Sequence, residues 1–208
     1  MIELIDNLMQ FAVTATGCIW AGVSFSKSRK QPLFLLTCFY GVFALSAFYW
    51  TLHFLLFGET PPLFYVSDIG WVASYVFLLT LLYTMRSPTQ WEQKTALCWL
   101  APVFCIPQFI LYITHGDILF NLLMCMPTML IAWFAIQGLI FNLRSAGERN
   151  AVPFYISTLC FVILEYCLWT SSCFWMGDTL LNPYFWFDFL LSASMLSLLP
   201  TLKKAVVK

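Results

Sequence analysis

Charge is scarce in this sequence, and its scarcity excludes an ordinary soluble domain. Only 10% of the 208 residues are Asp, Glu, Lys or Arg, whereas a soluble domain carries about 25%. Hydrophobic residues make up 61% of the chain, which is more than one soluble core of this length can bury. The formal net charge is zero, so no nucleic-acid partner is expected. The composition therefore predicts a protein whose main partner is the lipid bilayer.

Several kinds of functional sequence are also missing. No Lys or Arg lies within a long apolar run, which excludes a retinal Schiff base and an arginine-rich voltage sensor. The GxSxG, HExxH and Walker A motifs are absent, so we expect no enzyme activity, no catalytic residue and no cofactor. With two histidines and no close carboxylate pair evident, no metal site is predicted. The eight cysteines lie in apolar runs without a CxxC, and we interpret them as packing residues.

What the sequence does contain is a series of apolar runs long enough to cross a bilayer, which takes roughly 20 residues of helix. The fold class predicted is an all-α polytopic membrane protein, with a single domain over residues 1–208 and seven transmembrane helices. The N-terminal segment lacks the basic region of a signal peptide, so the first run is interpreted as a retained span. The predicted spans are 8–25, 32–57, 67–85, 95–114, 118–143, 153–175 and 184–202.

Basic and acidic residues alternate between successive connections. The basic set comprises Lys27, Arg29, Lys30, Arg86, Lys94, Arg144, Arg149, Lys203, Lys204 and Lys208. The opposite connections carry Glu3, Asp6, Glu59, Asp68, Asp117 and Asp178 and no basic residue. Because cytoplasmic loops are enriched in Lys and Arg, this pattern predicts an outside N-terminus and a cytoplasmic C-terminus in the cell (plasma or inner) membrane.

A weak internal repeat is suggested by the second and sixth spans. Each opens with a proline after a basic loop, Pro32 or Pro153, and carries a tryptophan in its outer half, Trp50 or Trp169. This 3+1+3 plan resembles that of the sugar-efflux and PQ-loop transporters, although the PQ dipeptide is absent. The resemblance implies a substrate site between the repeats. Shared aromatic-rich composition is the alternative explanation. The predicted repeats are residues 1–85 and 118–202, with a linker helix at 95–114.

A second resemblance points to a different class of function. The segment SDIGW (67–71), followed by YVFLL (75–79), looks like the membrane part of some bacterial sensory proteins. Such proteins usually continue into a kinase or cyclase domain, so the resemblance implies a ligand-sensing or accessory subunit whose output lies on a partner protein. Two hypotheses follow: a small-molecule transporter or permease, and a sensory or accessory subunit. A membrane partner subunit or a homo-oligomer is compatible with both.

Two carboxylates stand inside the last two apolar runs. At ~1.5 Å per residue, Glu165 lies roughly 15 Å below the outer end of its helix, and Asp188 on the order of 6 Å below the same surface. A carboxylate at membrane depth is costly unless it is paired, protonated, hydrated or bound to a ligand, so it marks a candidate functional site. We therefore predict an acidic vestibule in the outer half, which binds a small polar or cationic ligand or a proton.

The remaining candidates were selected by depth or by helical spacing from these two acids. Trp169 and Ser172 follow Glu165 at i+4 and i+7, and Ser192 follows Asp188 at i+4. Tryptophan faces would add cation–π attraction for a cation. Plainer roles stay open: packing for Glu165, an interfacial role for Asp188, and a hydrogen bond to a backbone carbonyl for His53. Asp68 could simply complement a helix dipole, and the tryptophans could be interfacial anchors. The full candidate set is Glu165, Asp188, His53, Asp68, Trp71, Trp169, Trp186, Ser172 and Ser192.

Overall fold

A computed structural model describes the chain at residues 2–62, 66–92, 95–144 and 149–206, and every regular element within these ranges is helical. The elements are α1 (Ile2–Ser28), α2 (Gln31–Phe57), α3 (Val66–Thr84), α4 (Pro88–Glu92), α5 (Leu100–His115), α6 (Ile118–Arg144), α7 (Val152–Phe174) and α8 (Pro183–Val206), with 3₁₀ turns at Ala96–Trp99 and Arg149–Ala151. Within the described part of the chain, seven helices are long and apolar enough to cross a membrane. This confirms the predicted helix count and is compatible with a multi-pass membrane protein.

The largest departure from the predicted bounds is at the N-terminus. The helix α1 begins at Ile2, well before the predicted start at residue 8. Asp6, which was assigned to a solvent-exposed segment, therefore lies within α1 and is 1% exposed. A second difference is the short helix α4 in the predicted polar loop 86–94. The basic residues Lys94 and Lys208 lie outside the described residues.

Local capping chemistry explains where several helices begin and end. The Asn182 side-chain Oδ1 accepts a hydrogen bond from the Tyr184 N–H at 3.0 Å, which caps α8. The Asp117 carboxylate accepts from the Phe120 N–H at 2.8 Å and caps α6 in the same way. Gly58 ends α2 in the left-handed conformation, with φ of 73°, which glycine adopts without steric cost.

Six of the helices form a closed ring. In this ring α1 packs against α2 and α8, α3 packs against α2 and α6, and α7 packs against α6 and α8. The helix α5 lies against α6 and α7. The Tyr112 hydroxyl of α5 donates to the Tyr166 carbonyl oxygen at 3.1 Å, and the Thr170 hydroxyl of α7 donates to Gln108 Oε1 at 2.9 Å. Large apolar side chains remain exposed around the bundle, as expected for a lipid-facing surface. The 3+1+3 repeat remains a prediction.

The bundle has two unlike halves. The acidic half is the one in which α1, α3, α6 and α8 begin, and the basic half is the one in which they end. In the basic half the helices pack closely, and the Tyr40 hydroxyl donates to the Met195 carbonyl oxygen across the ring. The Tyr155 ring lies over Gly138, where an added Cβ would be 2.3 Å from the ring carbon Cε1. Large rings seated on glycine backbone thus close this half of the bundle.

Candidate functional site

A cavity of about 760 Å³ occupies the acidic half of the bundle. Its size falls in the range of roughly 300–1,000 Å³ that is common for small-molecule sites. Each of the seven long helices contributes lining residues, and the connection between α7 and α8 contributes several more. Phe43, Tyr75 and Leu191 line its deep end and are all buried. The cavity therefore lies in the acidic half, where the helices of the ring are not packed as closely as they are in the basic half.

Glu165 lies in the wall of this cavity, on α7. Its carboxyl group is held by the indole of Trp169, one helical turn away, whose N–H donates to Oε1 at 2.8 Å. The Tyr75 side chain approaches the same carboxyl group from α3. The residue is only 5% exposed, and its Oε2 makes no hydrogen bond of normal distance and angle with the described residues. Trp169 thus orients one carboxylate oxygen, Tyr75 lies beside the group, and the carboxylate retains acceptor capacity toward the cavity.

Asp188 lies at the junction of α8 with α1. Its Oδ1 accepts a hydrogen bond from Gln10 Nε2 at 2.8 Å. Its carboxyl group also lies within hydrogen-bonding reach of that of Asp6. Asp6 and Asp188 are 1% and 5% exposed, respectively, so both are shielded from bulk water. The fold thus creates a close carboxylate pair that was not evident in the sequence.

Aromatic rings make up much of the remaining wall. The Trp50 and Trp71 ring centroids are 5.6 Å apart, and those of Phe120 and Trp169 are 5.8 Å apart. The indole N–H of Trp71 is buried and has no acceptor of suitable geometry within the described ranges, and the buried indole N–H of Trp50 lies near the Glu3 carboxyl group. The wall therefore offers π faces for a cation and indole donors for a polar group.

The charge of the lining is one-sided. The acidic lining residues are Glu3, Asp68, Asp117, Glu165, Asp178 and Asp188. No Lys or Arg is among the described lining residues, and His115 is the one histidine among them. Such a cavity attracts cations and repels anions, since low-dielectric walls focus the field of the acids.

The structure brings six of the nine sequence-predicted residues to the cavity. They are Glu165, Asp188, Asp68, Trp71, Trp169 and Ser172. Asp68 lies in the first turn of α3 and is 5% exposed. The Ser172 hydroxyl donates to the Trp169 carbonyl oxygen at 2.7 Å within its own helix. Their role in binding a ligand remains a prediction.

The other three predicted residues lie outside the lining. The His53 ring is 4.8 Å from the Phe57 ring, and its Nδ1 lies 3.1 Å from a backbone oxygen in the loop after α2. Trp186 is 55% exposed, and its indole donates to the Leu180 carbonyl oxygen at 2.8 Å. Ser192 is fully buried, one turn along α8 from Asp188. These residues were selected by depth or helical spacing, and neither property gives the direction in which a side chain points.

Two residues of the site, Asp6 and Gln10, were not selected from the sequence as candidates. A signal for them does exist, because buried polar or small residues recur every three or four positions on one face of α1. These residues are Asp6, Gln10, Thr14, Gly17, Ala21 and Ser24. A polar face on a membrane helix indicates packing against other helices or a cavity rather than lipid.

Comparisons with known proteins add no assignment to this geometry. In the described ranges, no group of three or more His, Cys, Asp or Glu side chains is arranged to hold a metal ion. No family model matches the chain, and no match was found among curated proteins or among solved structures. The functional argument therefore depends on the cavity itself.

Proposed function

We propose that this protein is a small multi-pass transporter or permease that binds an organic cation of the ammonium class in the acidic half of its bundle. The acidic half faces the outside of the cell membrane in this proposal, as the distribution of basic residues predicts. The observation that carries it is the combination of buried carboxylates and tryptophan faces in one cavity, whose described lining residues include no Lys or Arg.

Charge selects the class of ligand. A buried carboxylate is stabilised by an opposite charge within about 4–6 Å. In this cavity that charge has to come from the ligand, since the described lining offers no Lys or Arg. A quaternary or alkylated ammonium also suits the rings of Trp71 and Trp169, because cation–π attraction does not require a hydrogen-bond donor on the ligand. Glu165, with one oxygen fixed by Trp169, is the proposed counter-ion.

The two halves of the bundle support transport rather than simple binding. The cavity is reached from the acidic half, and the basic half is closed by packed side chains such as Tyr40 and Tyr155. Alternating access requires a site that is open to one side while the other side is closed. Parallel repeats, if present, would let the second side open by the same motion. Gly17 with Pro32 and Gly138 with Pro153 recur at equal spacing, which supports such repeats.

A pair of isosteric probes tests the proposed ligand class. Choline carries a permanent positive charge, whereas 3,3-dimethylbutan-1-ol has nearly the same shape and no charge. With the protein purified in lipid nanodiscs, we expect choline to raise the unfolding temperature by mass action and to quench tryptophan fluorescence. The neutral analogue should do neither. Equal effects of the two probes would contradict recognition of a cation.

Matched variants identify the counter-ion. Glu165→Gln should weaken choline binding by at least about tenfold, which corresponds to roughly 1.4 kcal/mol. Glu59→Gln removes an acid from the same end of the protein but outside the cavity, and should leave the affinity unchanged. Both variants should first be shown to elute as folded protein. Proteoliposome uptake of labelled choline then separates the hypotheses, because binding without uptake would favour the sensory or accessory subunit.

A further inference from the structure

The carboxyl pair between α1 and α8 has a different environment from Glu165. Asp6 and Asp188 belong to helices that pack directly against each other, and their carboxyl groups lie within hydrogen-bonding reach. Gln10 lies one turn from Asp6 on α1 and donates from Nε2 to Asp188 Oδ1 at 2.8 Å. Gln10 lines the cavity and is 5% exposed, yet its Oε1 has no hydrogen-bond partner among the described residues. An unused acceptor at this place indicates a site for water or a ligand.

The groups around the pair do not neutralise it. Glu3 on α1 lies close to Asp6, and Tyr184 on α8 lies close to both carboxyl groups. Glu165 faces Asp188 from α7, and Tyr75 faces it from α3. From α2, the Tyr40 hydroxyl reaches α8 in the basic half, where it donates to the Met195 carbonyl oxygen. The 3₁₀ turn at Arg149–Ala151 also packs against α8 and carries a basic residue, but it lies at the basic end of the bundle.

We propose that Asp6 and Asp188 share one proton and form the proton-binding site of the cavity, which releases this proton when an organic cation binds. The first half of the inference stands on the burial of the two carboxyl groups and on their contact between α1 and α8. Two carboxyl groups in hydrogen-bonding contact need a proton on one of them. Two carboxylates in contact, buried and without a counter-ion, do not both ionise. The second half depends on the proposed function, because it needs a cationic ligand.

The exchange balances in charge and in atoms. One O–H bond of the carboxyl pair breaks, and the proton passes to water in the cavity and from there to the solution. No electron is transferred. The arriving cation supplies the positive charge that the proton removes, so the net charge within the cavity is unchanged. Cation affinity should therefore increase as the pH rises through the range in which the pair loses its proton. By linkage, bound cation should favour the deprotonated pair to the same extent.

Infrared spectroscopy of the ligand-free protein tests the shared proton. A protonated carboxyl group gives a C=O stretching band that a carboxylate lacks. Asp6→Asn and Asp188→Asn should each remove the same band at neutral pH, because either amide can donate to the remaining carboxylate. The double variant should lose no more than either single variant. Glu165→Gln and Glu59→Gln should leave that band in place. Loss of the band in only one of the two single variants, or in neither, would overturn the shared proton.

Proton release on binding tests the exchange. Choline added to wild-type protein in weakly buffered solution should release about one proton per cation bound. Asp6→Asn should bind choline without releasing a proton. If choline binds wild-type protein and no proton appears, the exchange is wrong although the shared proton stands. If choline does not bind at all, the proposed function fails, and the infrared experiment alone decides the carboxyl pair.

Discussion

The acidic and basic halves of the bundle are built from the same helices and use their buried glutamines differently. Gln137, in the basic half, accepts from the Arg86 guanidinium through Oε1 and donates to the Gln90 carbonyl oxygen at 3.0 Å. The Arg86 guanidinium also lies 4.5 Å from the Phe134 ring centroid. Gln10, in the acidic half, uses Nε2 only. In the basic half a buried polar side chain serves packing, whereas in the acidic half the same side chain retains capacity for a ligand.

Aromatic rings, like the buried glutamines, serve packing in the basic half and face a cavity in the acidic half. In the basic half, the rings of Tyr40 and Tyr155 lie against the backbone of a glycine on the neighbouring helix. In the acidic half, the rings of Trp71 and Trp169 stand around a cavity. Glycine lets helices approach closely in a membrane, where van der Waals packing rather than hydrophobic burial drives association. The comparison indicates that the closed half derives its stability from packing and that the open half gives up some of that packing for a site.

The largest effect should come from adding one methyl group to the closed half. Gly138→Ala places a Cβ 2.3 Å from the Tyr155 ring, so the ring or the helix has to move. Overpacking of this kind costs about 1–3 kcal/mol. We expect a lower unfolding temperature in detergent and unchanged choline affinity in the protein that remains folded.

Gly22→Ala is the matched control. Its Cβ would lie 3.5 Å from the Thr37 Cγ2, an ordinary van der Waals distance. Replacing glycine with alanine inside a helix gains about 0.5–1 kcal/mol, so this variant should be as stable as the parent or slightly more stable. Equal destabilisation by both variants would show that close glycine packing is not what holds the basic half together.

The next prediction concerns whether a reagent added outside the cell can reach a cysteine in the cavity. Cys173 lines the cavity, whereas Cys105 is 1% exposed and hydrogen-bonded to the Tyr166 hydroxyl. A membrane-impermeant quaternary ammonium methanethiosulfonate added to whole cells should label Cys173, and Cys173→Ser should abolish this labelling. Choline at about ten times its Kd should slow the reaction about tenfold by mass action. Cys105→Ser should have no effect on labelling. Labelling of Cys173 only from the cytoplasmic side would reverse the predicted orientation.

A smaller effect on stability and choline affinity is expected from replacing two buried tyrosines, one in each half of the bundle. Tyr40→Phe removes the hydrogen bond to the Met195 carbonyl oxygen and should cost about 0.5–1.5 kcal/mol, measured as unfolding temperature. Choline affinity should not change. Tyr75→Phe removes a hydroxyl at the deep end of the cavity beside Glu165, and should alter choline affinity more than stability. The opposite pattern, with Tyr75 needed for stability and Tyr40 for binding, would contradict the division of the bundle into a packed half and a binding half.

The sequence predicted the helices better than it predicted the site. Span length and hydropathy depend on local composition, so the predicted bounds of α2, α3 and α6 lie within a residue or so of those observed. The acids at the start of α1 were assigned to solvent because charged residues usually end a span. Asp6 is buried because α1 packs against α8, and that neighbour relation is a tertiary contact that no local pattern encodes.

Within the site, the sequence identified the two acids inside apolar runs but not the direction in which neighbouring side chains point. Glu165 and Asp188 were selected because a carboxylate inside an apolar run is costly, and both line the cavity. Which residues on the same helical face also line the cavity was harder to predict. Ser192 shares a helical face with Asp188, and it is nevertheless fully buried outside the cavity lining. A helical face spans a wide angle, so residues on one stripe can meet different neighbours.

The smallest effect is expected at His53, where depth alone suggested a role in the site. The structure places its ring against Phe57 and beside a backbone oxygen of the loop after α2, outside the cavity lining. His53→Ala should therefore change choline affinity less than twofold, and as a substitution away from the packed core it should change stability by about 0.5 kcal/mol or less. Isothermal titration and thermal unfolding of the same preparation measure both quantities. A tenfold loss of affinity would mean that the ligand site extends beyond the cavity toward the end of α2, and that depth in the membrane defines the site better than the lining does.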